Sequence, residues 1–260
     1  MNQRVGIVVP TLGERPDFLR QCLSSIRAAG YAHILVVAPA SMDATALKSE
    51  GLIDGFIVDE GGGLASAINQ GIQSLPTSVE YVNWLGDDDL LTPRSLDNTT
   101  EILDSENQAV MAFGACDYID GEGNIVWQNS SGAWAVPLLR FGPDLIPQPG
   151  ALFRRSAFEA AGGLNPDFGW AFDFDLFIRL SKLGKLRYIN QTLAKFRWHP
   201  ESLSVEHRRQ SVAEASKVRV SHLTAWLRPF SFAWEWPVRQ ATLIAGKRVT
   251  AKAQLKARSS

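Results

Sequence analysis

The chain has 260 residues, 45% hydrophobic and 20% charged, an ordinary globular composition that excludes long disorder and a fibrous repeat. Two cysteines, Cys22 and Cys116, are too few for a disulfide framework, and with no signal peptide at the N-terminus they point to a reducing, cytoplasmic setting. The net charge of -1 conceals an asymmetry: from Val205 onward there are 11 Lys and Arg against 3 Asp and Glu, so the body is acidic and lacks the positive face that nucleic-acid binding demands.

In chain order, apolar runs at Val5–Val9, His33–Ala38, Phe56–Val58 and Tyr81–Leu85 read as strands. Between them, Pro16–Ala29, Asp43–Glu50 and Leu64–Leu75 read as helices, the last with Leu64, Ile68, Ile72 and Leu75 at helical spacing. This alternation predicts an α/β, Rossmann-like, mostly parallel sheet whose ligands sit beyond the carboxyl ends of the strands. A mixed-sheet half is expected from the runs Val110–Gly114, Ile125–Gln128 and Ala151–Phe153. A helix over Asp173–Leu183 follows, then strands at Arg187–Ile189 and Ala194–Trp198. From Val205 the pattern is helical, broken at Pro229 and Pro237, and no run of about 18 apolar residues could span a membrane. We divide the chain into a body, 1–204, and a helical, basic and aromatic extension, 205–260.

Asp87, Asp88 and Asp89 follow the fourth strand and precede Thr92 and Pro93, which fit an N-cap and a first helical turn. Adjacent carboxylates are usually a solvated turn, but fixed at a strand end in a ligand crevice they suit Mg2+ or Mn2+ shared with phosphate oxygens. Gly61-Gly62-Gly63 reads as a phosphate cradle or as a flexible turn, and Asn69 as a polar residue on an exposed helix face. Asp173 fits an N-cap, Asp175 and Arg179 an i,i+4 ion pair, and His199 a lone structural histidine.

Taken together, these segments resemble family-2 glycosyltransferases of the GT-A type, which are inverting and nucleotide-sugar dependent. The likeness runs over roughly residues 4–204, from Val8-Val9-Pro10-Thr11 through Gly63–Gly71 and Trp84–Asp89 to Gln148–Arg155, Gly162-Gly163-Leu164, Asp173–Leu180 and Arg197-Trp198-His199. The resemblance implies that Pro10, Thr11, Glu14, Asn69, Asp87 and Arg197 bind the nucleotide-sugar, and that Asp88, Asp89 and His199 hold the metal. Asp173 would be the general base, with Gln148 and Asp175 supporting the acceptor or the helix start. Two positions depart from the family pattern. Ala38-Pro39-Ala40-Ser41 stands where an acidic pair usually meets the base, leaving UDP- and dTDP-sugars both plausible, and Phe172 stands where a Glu usually precedes the catalytic Asp.

The expected partners are therefore a nucleotide-sugar donor and a saccharide or lipid-linked acceptor, in synthesis of a bacterial surface polysaccharide or glycolipid. The expected location is cytoplasmic, with the basic, aromatic tail either touching the inner face of the membrane or packing on the body. A nucleotidyltransferase and a silent nucleotide-sugar-binding protein are the rival readings.

Overall fold

Val5–Pro10 (β1) is buried at every position, and its β-branched side chains suit a central strand covered on both faces. It runs parallel to Ala32–Ala38 (β2) on one side and Tyr81–Trp84 (β4) on the other, with Val8 opposite both Leu35 and Trp84. Gly55–Val58 (β3) continues the sheet beyond β2. The crossovers carry helices Pro16–Ala29 (α1), Thr45–Ser49 (α2) and Leu64–Ser74 (α3). Leu19, Cys22, Leu23 and Ile26 of α1 cover one face together with Ile7 and Val9, whereas Ile68 and Ile72 of α3 cover the other with Val8. Gly71 permits that second contact, because a Cβ there would lie 2.4 Å from Val8 Cγ1.

This computed structural model describes residues 3–129, 131–198 and 208–257. Beyond β4 the sheet becomes mixed, as expected, in the order β3-β2-β1-β4-β8-β6-β9-β5. The added strands are Leu90–Leu91 (β5), Ala109–Ile119 (β6), Leu152–Arg154 (β8) and Lys185–Arg197 (β9), while Ile125–Asn129 (β7) pairs with β6 off this path. The two strands expected within 187–198 are one strand, because β6 offers a parallel partner all the way from Ala109 opposite Lys185 to Ile119 opposite Arg197.

The remaining helices are Ser95–Ser105 (α4), Ala135–Leu138 (α5), Arg155–Ala160 (α6), Phe172–Leu180 (α7), Arg208–His222 (α8) and Phe232–Ala257 (α9). Thr92 does not cap α4. Its hydroxyl and amide bond Thr192 and Leu193 across β5 and β9, and the helix begins three residues later, after Arg94 in the left-handed region at φ 63°. Pro237 likewise lies inside α9 without ending it, whereas Pro229 sits in the short turn Arg228–Phe230 between α8 and α9.

The boundary placed at residue 204 falls outside the described residues, but the packing of the extension is plain. Val218 of α8 is fully buried against the core that contains α7. Arg219 pairs with Glu235 of α9 at 2.8 Å, both side chains almost completely buried, and Ser216 donates to the same carboxylate. Arg219 also donates to the Gly142 carbonyl, fastening both helices to the body. The two helices therefore pack on the body, while Trp226, Phe230, Phe232 and Trp236, expected to be covered in a packed arrangement, stay exposed.

Candidate active site

The strand order reverses between β1 and β4, and in open α/β sheets the carboxyl ends at such a switch point form the ligand crevice. From β1 comes Thr11, whose amide is held by the Val37 carbonyl and whose hydroxyl accepts from the Gly13 amide. That hydroxyl donates to Asp87 at 2.5 Å. Arg15, just before Pro16 opens α1, spans the acidic turn, meeting Asp87 and Asp88 at 2.6 Å each. Burial pushes the Asp87 carboxyl above its usual range, and Thr11 and Arg15 oppose that shift.

Asp89 turns the other way. It is 5% exposed and accepts the Arg197 amide at 3.0 Å, and burial beside Asp88 holds its carboxyl well above the usual range. The side chain expected as a third metal ligand is thus placed inside the protein, because the turn closed by Asp89 N–H on Gly86 carries it away from the crevice.

Arg197, expected to face phosphate, is 1% exposed. Its guanidinium donates to the carbonyls of Asp88, Asp120 and Gly121 and to Gln21 Oε1, and it lies 4.3 Å from the Phe18 ring centroid. It clamps the acidic turn from beneath. His199, the other residue expected at the metal, lies outside the described residues. Pro10 is buried in the β1–β2 pairing, and Glu14 is exposed at the rim.

Asn69 is not on a solvent-facing surface of α3. Its amide donates to the Leu164 carbonyl and accepts the Leu164 amide, tying α3 to the Gly162-Gly163 turn. Gln148 donates to Asn83 Oδ1 and to the Trp84 carbonyl, so it secures the loop before β8 to the strand that carries the triplet. Gly61, Gly62 and Gly63 all adopt positive φ, between 87° and 95°, and lead into α3.

On the acceptor side, α7 starts at Phe172 with Ala171 as its cap, which places Asp173 in the first turn and not at the N-cap. Phe172 packs on Trp84 with ring centroids 6.3 Å apart, so the start of α7 sits beside β4. The Asp173 carboxylate accepts the Phe174 amide, yet desolvation, aided by the nearby Glu214 charge, raises it to about 6. Enclosure and the charge of Asp173 push Asp144 well above the usual range as well, so these two carboxyls share one electrostatic environment.

Asp175 forms no surface pair. It is 4% exposed, binds Arg179 at 2.6 Å and His222 Nε2 at 2.7 Å, and these partners lower its carboxyl below the usual range against the cost of burial. Glu214 and His222 of α8, together with Asp144, are contributions that sequence spacing does not reveal, since all three lie well outside α7 in the chain. Arg15 carried one legible signal, a cation directly after the first strand and before Pro16.

Residues 6–162 match the model of glycosyl transferase family 2. The chain belongs to that family. An uncharacterized glycosyltransferase of Rickettsia conorii is 26% identical over 213 residues, covering 76% of this chain and 34% of its own length. An O-antigen biosynthesis protein of Myxococcus xanthus is 27% identical, covering 68% of this chain and 14% of its own length. The chain thus spans about a third or less of the length of these curated relatives.

A mannosyltransferase of Pyrobaculum calidifontis, solved with GDP-Man and Mn2+, superposes at a TM-score of 0.63 and 18% identity, covering the whole of this chain and 80% of the other. TarS 1-349 of S. aureus with UDP-GlcNAc gives 0.58 at 14% identity, covering 96% and 84%. The fold of this family-2 chain is that of the GT-A glycosyltransferases. The family match includes Thr11 and the acidic triplet and ends before α7, the helix that carries Asp173.

Proposed function

We propose that this chain transfers a sugar from a nucleoside-diphosphate donor to an acceptor hydroxyl by single displacement with inversion. The observation that carries the reading is the packing of Phe172 on Trp84, which brings the start of α7, where Asp173 lies, against the last residue of the strand that Asp87 and Asp88 follow. Two carboxylates for a cation and a third for a proton are the groups that displacement at a sugar carbon requires.

The acidic pair fits a divalent cation, since oxygens of Asp87 and Asp88 already converge on one cationic group, the Arg15 guanidinium. Among the described residues, no three His, Cys, Asp or Glu side chains form a ready metal cage. Asp88, supported by Asp87, would therefore hold Mg2+ or Mn2+ together with diphosphate oxygens. When bound, the ion supplies charge stabilisation to the departing nucleoside diphosphate. Asp173, raised to about 6, is mostly ionised at neutral pH yet more basic than a solvated carboxylate, which suits removal of the acceptor proton. Ala38, Pro39 and Ala40 bring no polar side chain to the base, so base recognition rests on backbone groups and accommodates UDP and dTDP donors.

The product class we infer is a bacterial surface polysaccharide or glycolipid, made in the cytoplasm at the inner face of the membrane. The O-antigen relative supports this. The test is incubation with UDP-, dTDP- and GDP-sugars and Mn2+, reading released nucleoside diphosphate and the configuration of the transferred sugar. Release of pyrophosphate from a sugar phosphate and a nucleoside triphosphate would make the chain a nucleotidyltransferase. Binding of every donor without turnover would make it a binding protein.

A further inference from the structure

Docking of the tail leaves a group of large apolar side chains in solvent. Trp226 is 71% exposed, Phe232 72% and Trp236 68%, and Phe230 at the turn between α8 and α9 is also exposed. The surface continues onto the body through the Phe141–Trp234 edge contact at 5.9 Å, to Leu138 and to Trp134, which is 74% exposed. Other exposed apolar residues, such as Leu12 and Tyr31, lie elsewhere on the chain, whereas this concentration of aromatic side chains calls for a partner.

Charge identifies the partner. From Trp226 to the end of the chain there are seven Lys and Arg and one acidic residue, Glu235, which is buried against Arg219. Arg228 and Arg239 are exposed within three residues of Phe230 and Trp236, and Lys247 is exposed further along α9. On α9, Phe232, Trp236, Arg239 and Lys247 fall on one side at helical spacing, so apolar and cationic groups are mixed and not segregated into two faces. Such mixing suits shallow seating at the headgroup level, where indole rings and cations are both favoured, and not deep insertion. No described helix is long and apolar enough to cross a membrane.

Position links the patch to the site. Helix α8 takes the Trp170 and Ala171 amides just before Asp173 through Glu214, and through Arg219 it holds both Glu235 of α9 and the Gly142 carbonyl beside Phe141. The apolar surface is thereby fastened to the element that positions the start of α7.

We propose that Trp226, Phe230, Phe232 and Trp236, extended by Trp134 and Phe141, form a docking surface for an anionic lipid bilayer. Seated there, the protein presents the Asp173 side of its crevice to an acceptor carried on a membrane lipid. The acceptor half of this statement rests on the proposed transferase activity, and the docking half does not.

Co-sedimentation of the full chain with vesicles tests docking without any turnover. Vesicles of phosphatidylcholine with about one-third phosphatidylglycerol should bind at least about tenfold more protein than pure phosphatidylcholine, and raising the salt should remove most of that difference. The variant W226A/F230A/W236A should lose about tenfold in binding while keeping its unfolding midpoint and its affinity for UDP with Mn2+, since none of the three touches the crevice. Equal binding to both vesicles, or unchanged binding of the variant, overturns docking. A dimer in sedimentation equilibrium that the triple variant dissolves would assign the patch to a second copy instead. If docking holds but a lipid-linked saccharide is no better an acceptor than its water-soluble headgroup, the acceptor inference alone fails.

Discussion

Glu214 accepts the Ala171 amide at 2.7 Å, and with the same carboxylate takes the amides of Trp170 and Gly169. A helix of the C-terminal extension thereby holds the loop that leads into the helix carrying Asp173, and its charge adds to the desolvation that raises the Asp173 carboxyl to about 6. Glu214→Gln should keep part of this hydrogen bonding and remove the charge. The acid limb of kcat should then move to lower pH, because a base with a lower pKa stays ionised further into acid. Glu214→Ala should also cost about 1–3 kcal/mol of stability, because the amides of Gly169, Trp170 and Ala171 lose their acceptor. A pH–rate profile beside urea unfolding of both variants separates the two effects.

Asp173→Asn should lower kcat by about 10²–10⁴ with donor affinity nearly unchanged. In the parent protein kcat should fall as pH drops through about 6, where Asp173 takes up a proton. Asp175→Asn should act on stability, since it breaks the buried contacts with Arg179 and His222. The lowered carboxyl of Asp175 gives stability that is present above its unfolded pKa and lost as pH falls through the lower folded value. Steady-state kinetics at saturating donor, with melting curves at several pH values, check both variants. Near-normal turnover in Asp173→Asn with none in stably folded Asp175→Asn would reverse the roles.

Asp88→Asn should abolish metal-dependent UDP binding and leave the fold intact, as removing one of three adjacent carboxylates relieves repulsion. Arg15→Ala should strengthen binding of Mn2+ alone, because the guanidinium that meets Asp87 and Asp88 competes for the same oxygens. Calorimetry with Mn2+, with and without UDP, reads both.

Arg197→Met should destabilise the protein by about 3–5 kcal/mol, because three carbonyls and the Gln21 side chain lose a buried charged donor. A phosphate ligand at this position would instead give a variant of near-normal stability with weakened donor binding. Denaturant unfolding and UDP titration distinguish these outcomes.

Competition among UDP, dTDP and GDP should show a preference below about 100-fold, or roughly 2.7 kcal/mol, if the bases are held without a side-chain hydrogen bond from Ala38–Ala40. A steeper preference would mean that other groups read the base.

Local pattern determined much of this protein. The β-branched runs of β1 and β2, the helical spacing of α1 and α3, and the acidic turn after β4 are short-range features, and each of them lies where its sequence places it. What tertiary structure decided is which side chains face the crevice. Asp88 and Asp89 are neighbours in sequence, yet a turn and the Arg197 amide send one outward and the other inward. Arg197 reads as a phosphate ligand until the carbonyls of Asp120 and Gly121 are seen to surround it. Asp175 reads as half of a surface pair until His222 arrives from α8. These contacts join residues from about fifty to more than a hundred positions apart, and no periodicity or local propensity records which distant donor will satisfy a buried carboxylate.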